Sequence, residues 1–158
     1  MGLFDSLVAE PTVQAKQSLT EVEAFAGVLF AAALADGEVS EDEQGRLNSF
    51  LTKNKFFLQA ALTSSGSSGD YTNRLVEKMS NLYPRKGHEP FIEMCAQSLP
   101  QKWKKPTFAI LAELLFSDGK PCQANIDTLN ITYKMLEISS EEAVSIVNVI
   151  KLLHYFES

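Results

Sequence analysis

Residues 24–35 read AFAGVLFAAALA, twelve positions without one polar side chain. Crossing a bilayer takes about 20 apolar residues, so this run is too short to span a membrane. A helix apolar on every side also cannot lie on a surface with one face in water. What remains is the centre of a bundle, with other segments wrapped around it. The flanks agree. Thr20-Glu21-Val22-Glu23 is a capping box, a hydroxyl at the N-cap with a carboxylate three positions on. Asp36-Gly37 follows the run, and glycine best tolerates the left-handed conformation just past a helix end. The pattern predicts a buried helix from Thr20 to about Ala35.

The remaining chain reads as helix almost throughout, with no alternating β-branched run to argue for a sheet. Ser40-Glu41-Asp42-Glu43 is a second capping box, ahead of Leu47, Phe50 and Leu51 on one face. Residues 63–69, TSSGSSG, predict a flexible join between two helical halves of one domain. Leu75, Met79 and Leu82 predict a helix ended by Pro84, and residues 89–99 a short one stopped by Pro100. Pro106 suits the first turn of an apolar helix over Thr107–Phe116, which Ser117-Asp118-Gly119 ends. Ile126, Leu129, Tyr133 and Leu136 mark the next helix, about 122–137. Ser139 to Glu142 caps a last helix, with Ile146, Val149, Leu153 and Phe156 predicted on one stripe.

Composition narrows the function classes. The 158 residues carry a net charge of −6 and are 45 % hydrophobic, ordinary for one folded domain. An acidic chain argues against a general nucleic-acid binder. Lys102-Trp103-Lys104-Lys105, the one basic stretch, reads as a solvated loop. Cys95 and Cys122 stand in neither CxxC nor zinc spacing, and two reduced, partly buried thiols suit a cytoplasmic protein. Met1-Gly2 with Ser6 matches an acylation pattern, but a short N-terminal helix is the preferred reading. His88 reads as a loop residue, and His154 as a residue favoured by the negative end of the last helix.

An internal echo organises the chain. Asp36-Gly37 and Asp118-Gly119 each follow a buried apolar helix and precede an amphipathic one, about 82 residues apart. At that offset Val28 meets Ile110, Leu29 meets Leu111 and Leu47 meets Leu129. The expected architecture is a compact all-α bundle of about seven to nine helices, built from two pseudo-twofold-related hairpins. The repeat halves are about 20–62 and 104–157, with their buried helices crossing centrally.

A buried helix ending in ALADGEVSEDE, echoed by LLFSDGK and then YKMLEIS, resembles the TerB-like family of tellurite-resistance proteins over roughly residues 20–157. The second motif departs from the first, with Asn125 where Glu43 stands. The resemblance implies an all-helical, cytoplasmic bacterial protein of the chemical-stress response. It implies protein partners in a stress-response complex associated with a membrane, without direct membrane insertion. It also implies acidic residues suspected as metal ligands, and no firmly attached reaction.

Residues 36–43 fit the back half of an EF-hand loop, but Ala32 and Leu34 offer no ligand in the front half. Gly37, Ser40 and Glu43 are explained as helix punctuation. Asp36 is not, because a negative charge at a helix C-terminus meets the negative end of the dipole, and Asp118 repeats it. Glu113 is the one charge in FAILAELLF, where an unpaired buried carboxylate is costly. Glu113 aligns with Ala31 across the repeat, and Asn125 with Glu43, so each half supplies an acid that the other lacks. Asp36, Glu43, Glu113 and Asp118 are therefore the candidate metal ligands. Their oxygens favour calcium, magnesium or manganese over zinc. The function expected is a non-enzymatic stress-response interaction module. The alternative is a metal- or thiol-dependent enzyme or redox protein, using those carboxylates or Cys122 at a helix start, where a thiol pKa can fall.

Overall fold

The computed structural model describes residues 19–35, 41–65, 68–117 and 122–154. Among them are eight helices and no strand: α1 Glu21–Ala33, α2 Glu41–Thr52, α3 Lys55–Ser65, α4 Ser68–Lys86, α5 His88–Ser98, α6 Gln101–Phe116, α7 Gln123–Met135 and α8 Ser140–Leu153. Buried side chains from all eight join one contiguous apolar core. The expected all-α bundle is the architecture found.

The centre is α1, with every residue from Ala24 to Ala32 buried. Its capping box forms as expected: Glu23 N–H donates to Thr20 Oγ1 at 3.1 Å, and Thr20 N–H to Glu23 Oε1 at 2.9 Å. The other carboxylate oxygen of Glu23 accepts from Lys78 Nζ at 2.7 Å, tying α1 to α4. Burial alone would raise the Glu23 pKa. The Lys78 and Thr20 bonds outweigh it and hold the carboxyl below its usual range.

The helix α1 touches every helix from α2 to α7 and packs most extensively on α5. Gly27 sets that approach, since a Cβ there would lie 2.5 Å from Cys95 Sγ on α5. Both hairpins of the expected duplicated plan are packed pairs, α1 with α2 and α6 with α7, and α1 also meets α6. The fullest contact of the central helix is nevertheless with α5, which lies outside both repeat halves.

Four local expectations are corrected. The TSSGSSG stretch is helical at both ends, with α3 reaching Ser65 and α4 resuming at Ser68. Thr63 Oγ1 bonds the Gln59 carbonyl at 2.8 Å, so its hydroxyl is satisfied inside the helix rather than competing with it. Pro84 lies within α4, close enough to its end that only the bond to Ser80 is forgone. The break falls instead at Gly87, whose φ of 87° only glycine adopts freely, and α5 starts there. Likewise Pro106 is internal to α6, because Pro100, with extended backbone at the N-cap, already starts that helix at Gln101.

The basic stretch is thereby helical as well. Lys104 faces Glu137 at 3.7 Å, and Lys105 forms an ion pair with Glu142. Two of its three lysines therefore tie α6 to its neighbours, Lys104 to the turn between α7 and α8 and Lys105 to α8. The fourth correction concerns α8. Its core-facing residues are Ala143 and Ile150, with Ile146 and Val147 partly buried beside them. Val149 and Leu153, expected inside with Ile146, point outward. Phe156 lies outside the described residues.

Candidate functional site

Of the four candidate metal ligands, Asp36 and Asp118 lie outside the described residues, as does Ser40 of the second capping box. Glu43 belongs to the first turn of α2, and its side chain is not described. Only Glu113 can be placed. It is half-buried on α6, on the same side as Ala109, Ile110 and Phe116, while Phe108, Leu111, Ala112, Leu114 and Leu115 face the core. The premise of a fully buried carboxylate is thus corrected: α6 is apolar in sequence but exposes one edge. Among the described residues no three His, Cys, Asp or Glu side chains are grouped to hold a metal ion.

The histidine expected in a solvated loop is half-buried at the start of α5 and joins three helices. Thr128 on α7 donates its hydroxyl proton to the Ala124 carbonyl at 3.0 Å. Its oxygen therefore accepts from His88 Nε2, 3.1 Å away. With that proton on Nε2, the neutral ring accepts at Nδ1 from the Tyr83 hydroxyl of α4. Burial lowers the His88 pKa, against a smaller opposing pull from Glu89, and raises that of Tyr83. The chain Tyr83–His88–Thr128–Ala124 is a neutral polar clasp. The sequence signal that could have revealed it is Gly87, which makes position 88 a helix start rather than a loop.

The cysteines differ from one another. Cys95 is fully buried against Gly27, and burial pushes its pKa up to about 12, so it is an inert packing group. Cys122 is the exposed N-cap of α7 and makes no side-chain capping bond.

The surface carries one unusual face. Val144, Val149, Leu152 and Leu153 are 58, 56, 70 and 65 % exposed, and all four stand on α8. With Val144 taken as origin, Asn148, Leu152, Val149 and Leu153 lie at about 40°, 80°, 140° and 180° around the helix, while the core residues Ile150 and Ala143 lie at about 240° and 260°. The exposed residues therefore cover the side opposite the core. Val144 is also the rim of a groove of about 350 Å³ between α7 and α8, floored by Leu129 and Phe108 and walled by Tyr133 and Val147.

The anchoring of α8 is firm at one end. Ser139 caps it, accepting from Glu142 N–H at 3.2 Å, and Glu142 reaches Lys105 on α6. The Lys105 bond, helped by Ser139, lowers the Glu142 pKa. The helix rests chiefly on α6. It is thus a well-capped helix with apolar residues on both sides and a broad support on one. Sequence reasoning assigned some of these residues to the core because periodicity alone does not say which of two apolar stripes faces inward.

No protein-family model matches this chain, and no match was found among curated proteins or solved structures. The TerB-like resemblance therefore rests on the motifs within residues 20–157.

Proposed function

We propose that this protein is a non-enzymatic interaction module of the chemical-stress response, of the kind its TerB-like motifs imply, and that it receives protein partners on the outer face of α8. The observation that carries this reading is the grouping of Val144, Val149, Leu152 and Leu153, each more than half exposed, on one helix. Single exposed apolar residues need no explanation, but a contiguous set beside a groove marks an interaction surface. No described helix is long and apolar enough to cross a membrane, so association with a membrane-bound complex would run through such a protein contact. The test is binding of the fluorescent probe 1-anilinonaphthalene-8-sulfonate. The triple substitution V144Q/L152Q/L153Q is expected to abolish most of the probe signal while preserving helix content. An unchanged signal would contradict the assignment.

The alternative reading, a thiol-dependent enzyme or redox protein, draws on the exposed position of Cys122 at the start of α7. Labelling with iodoacetamide no faster than a free model thiol would remove it. A divalent cation on Asp36, Glu43, Glu113 and Asp118 is a separate, sequence-borne proposal. The described residues supply only the half-exposed Glu113 toward it, so no chemistry is derived through a metal. A ligand bound to the native state alone raises the melting temperature with concentration. No shift with calcium, magnesium, manganese or zinc would remove that proposal.

A further inference from the structure

The geometry points to a second copy of this chain as the occupant of the α8 face, with the two α8 helices packed antiparallel about a twofold axis at Asn148. This rests on the docking reading above and deepens it. Three features of α8 are self-complementary in that arrangement. The first is the apolar register. With Asn148 opposite itself, Val144 of each copy lies opposite Leu152 of the other, so the most exposed leucine meets the rim of the groove between α7 and α8. Asn148, Val144 and Leu152 share a sector of about 80°, narrow enough to form one seam.

The second feature is charge. The first turn of α8 carries Glu141 and Glu142, and its last turn carries Lys151. Neither Glu141 nor Lys151 makes an ion pair among the described residues. In the antiparallel register Lys151 of the second copy comes opposite Ser145, one turn or about 6 Å along the axis from Glu141. Each end of the pair then joins an acid to a base, and the two helix dipoles oppose. A parallel pair would instead set glutamate beside glutamate and lysine beside lysine.

The third feature is the residue on the axis. A side chain on a twofold meets its own image, so it must complement itself. Asn148 is exposed and carries both a donor and an acceptor, so two copies can bond reciprocally. A buried asparagine in a helix seam is also a known device for fixing register at some cost in affinity.

One helix face covers less than the ~1,200–2,000 Å² of a standard interface, so the pairing is expected to be weak and reversible. Sedimentation equilibrium should therefore run from about 10 μM to about 1 mM, a range that spans weak association. The wild type is expected to pass from monomer toward dimer, and Leu152→Asp to remain monomeric with unchanged circular dichroism. In a Cys122→Ser background, Asn148→Cys is expected to give a covalent dimer with a short bis-maleimide, whereas Ser98→Cys, placed away from α8, is not. A wild-type monomer throughout that range overturns the self-pairing. If that monomer still binds the naphthalene probe through Val144 and Leu152, the face serves a different protein and the docking reading survives. If it binds none, both readings fall. A dimer unaffected by Leu152→Asp also overturns the proposal, because the copies then meet elsewhere.

Discussion

Helices α1 and α8 have similar lengths, 13 and 14 residues, and both show apolar residues on every side. Their fates differ. α1 is enclosed by α2 through α7, and nine consecutive residues are buried. α8 rests chiefly on α6, and its outer leucines and valines face solvent. The same sequence property thus has two meanings. In α1 all-round apolarity is consumed within the fold. In α8 half of it is left over, and apolar surface left over on a well-capped helix is surface available to another molecule.

Substitutions in the two helices should differ in cost. The largest effect is expected in α1: Leu29→Ala should cost about 2–5 kcal/mol in chemical denaturation, because the enclosed site cannot collapse around the cavity. Gly27→Ala should follow at about 1–3 kcal/mol, since its new methyl group must displace Cys95 Sγ and part α1 from α5. At the anchored end of α8, Ser139→Ala should cost about 1 kcal/mol through loss of the cap to Glu142.

A smaller effect comes from the clasp beside α1. The folded-state pKa of His88 is depressed, so its contribution is present in full above the unfolded value of about 6.5 and is lost as pH falls from there through the folded value. Glu23 and Glu142, also depressed, lose theirs lower, from about 4.3 downward. As pH falls from about 6.5 toward about 4.3, melting temperatures should therefore fall in the wild type and less in His88→Gln. The smallest effect is expected on the outer face of α8. Leu152→Ala should change monomer stability by no more than about 0.5 kcal/mol. A cost there comparable to that of Leu29→Ala would mean that the two helices are not different after all.

Much of the fold was legible. The α1 core, its capping box, the cap of α8 and the all-helical class follow from residue type and spacing, because caps and periodicity are local. The errors share a physical origin. Pro84 and Pro106 were read as boundaries, but Gly87 and Pro100 supply the real break and start, and both prolines lie inside helices. His88 and the Lys102–Lys105 stretch were read as loops, but both are helical, and the partners Tyr83, Thr128, Glu137 and Glu142 come from other elements, which spacing cannot reveal. The outward face of α8 was missed for the same reason. Which stripe of an apolar helix is buried depends on where its main support sits.

The central claim is that α8 presents an open apolar face until another copy covers it. Hydroxyl-radical footprinting, read residue by residue across a dilution series, tests this directly. Val144 and Leu152 are expected to be strongly modified in dilute protein and protected as concentration rises, with Leu153, outside the seam, modified and Leu29 unmodified throughout. Protection of Val144 and Leu152 at the lowest concentration, equal to that of Leu29, would contradict the account, as would their unchanged modification at the highest.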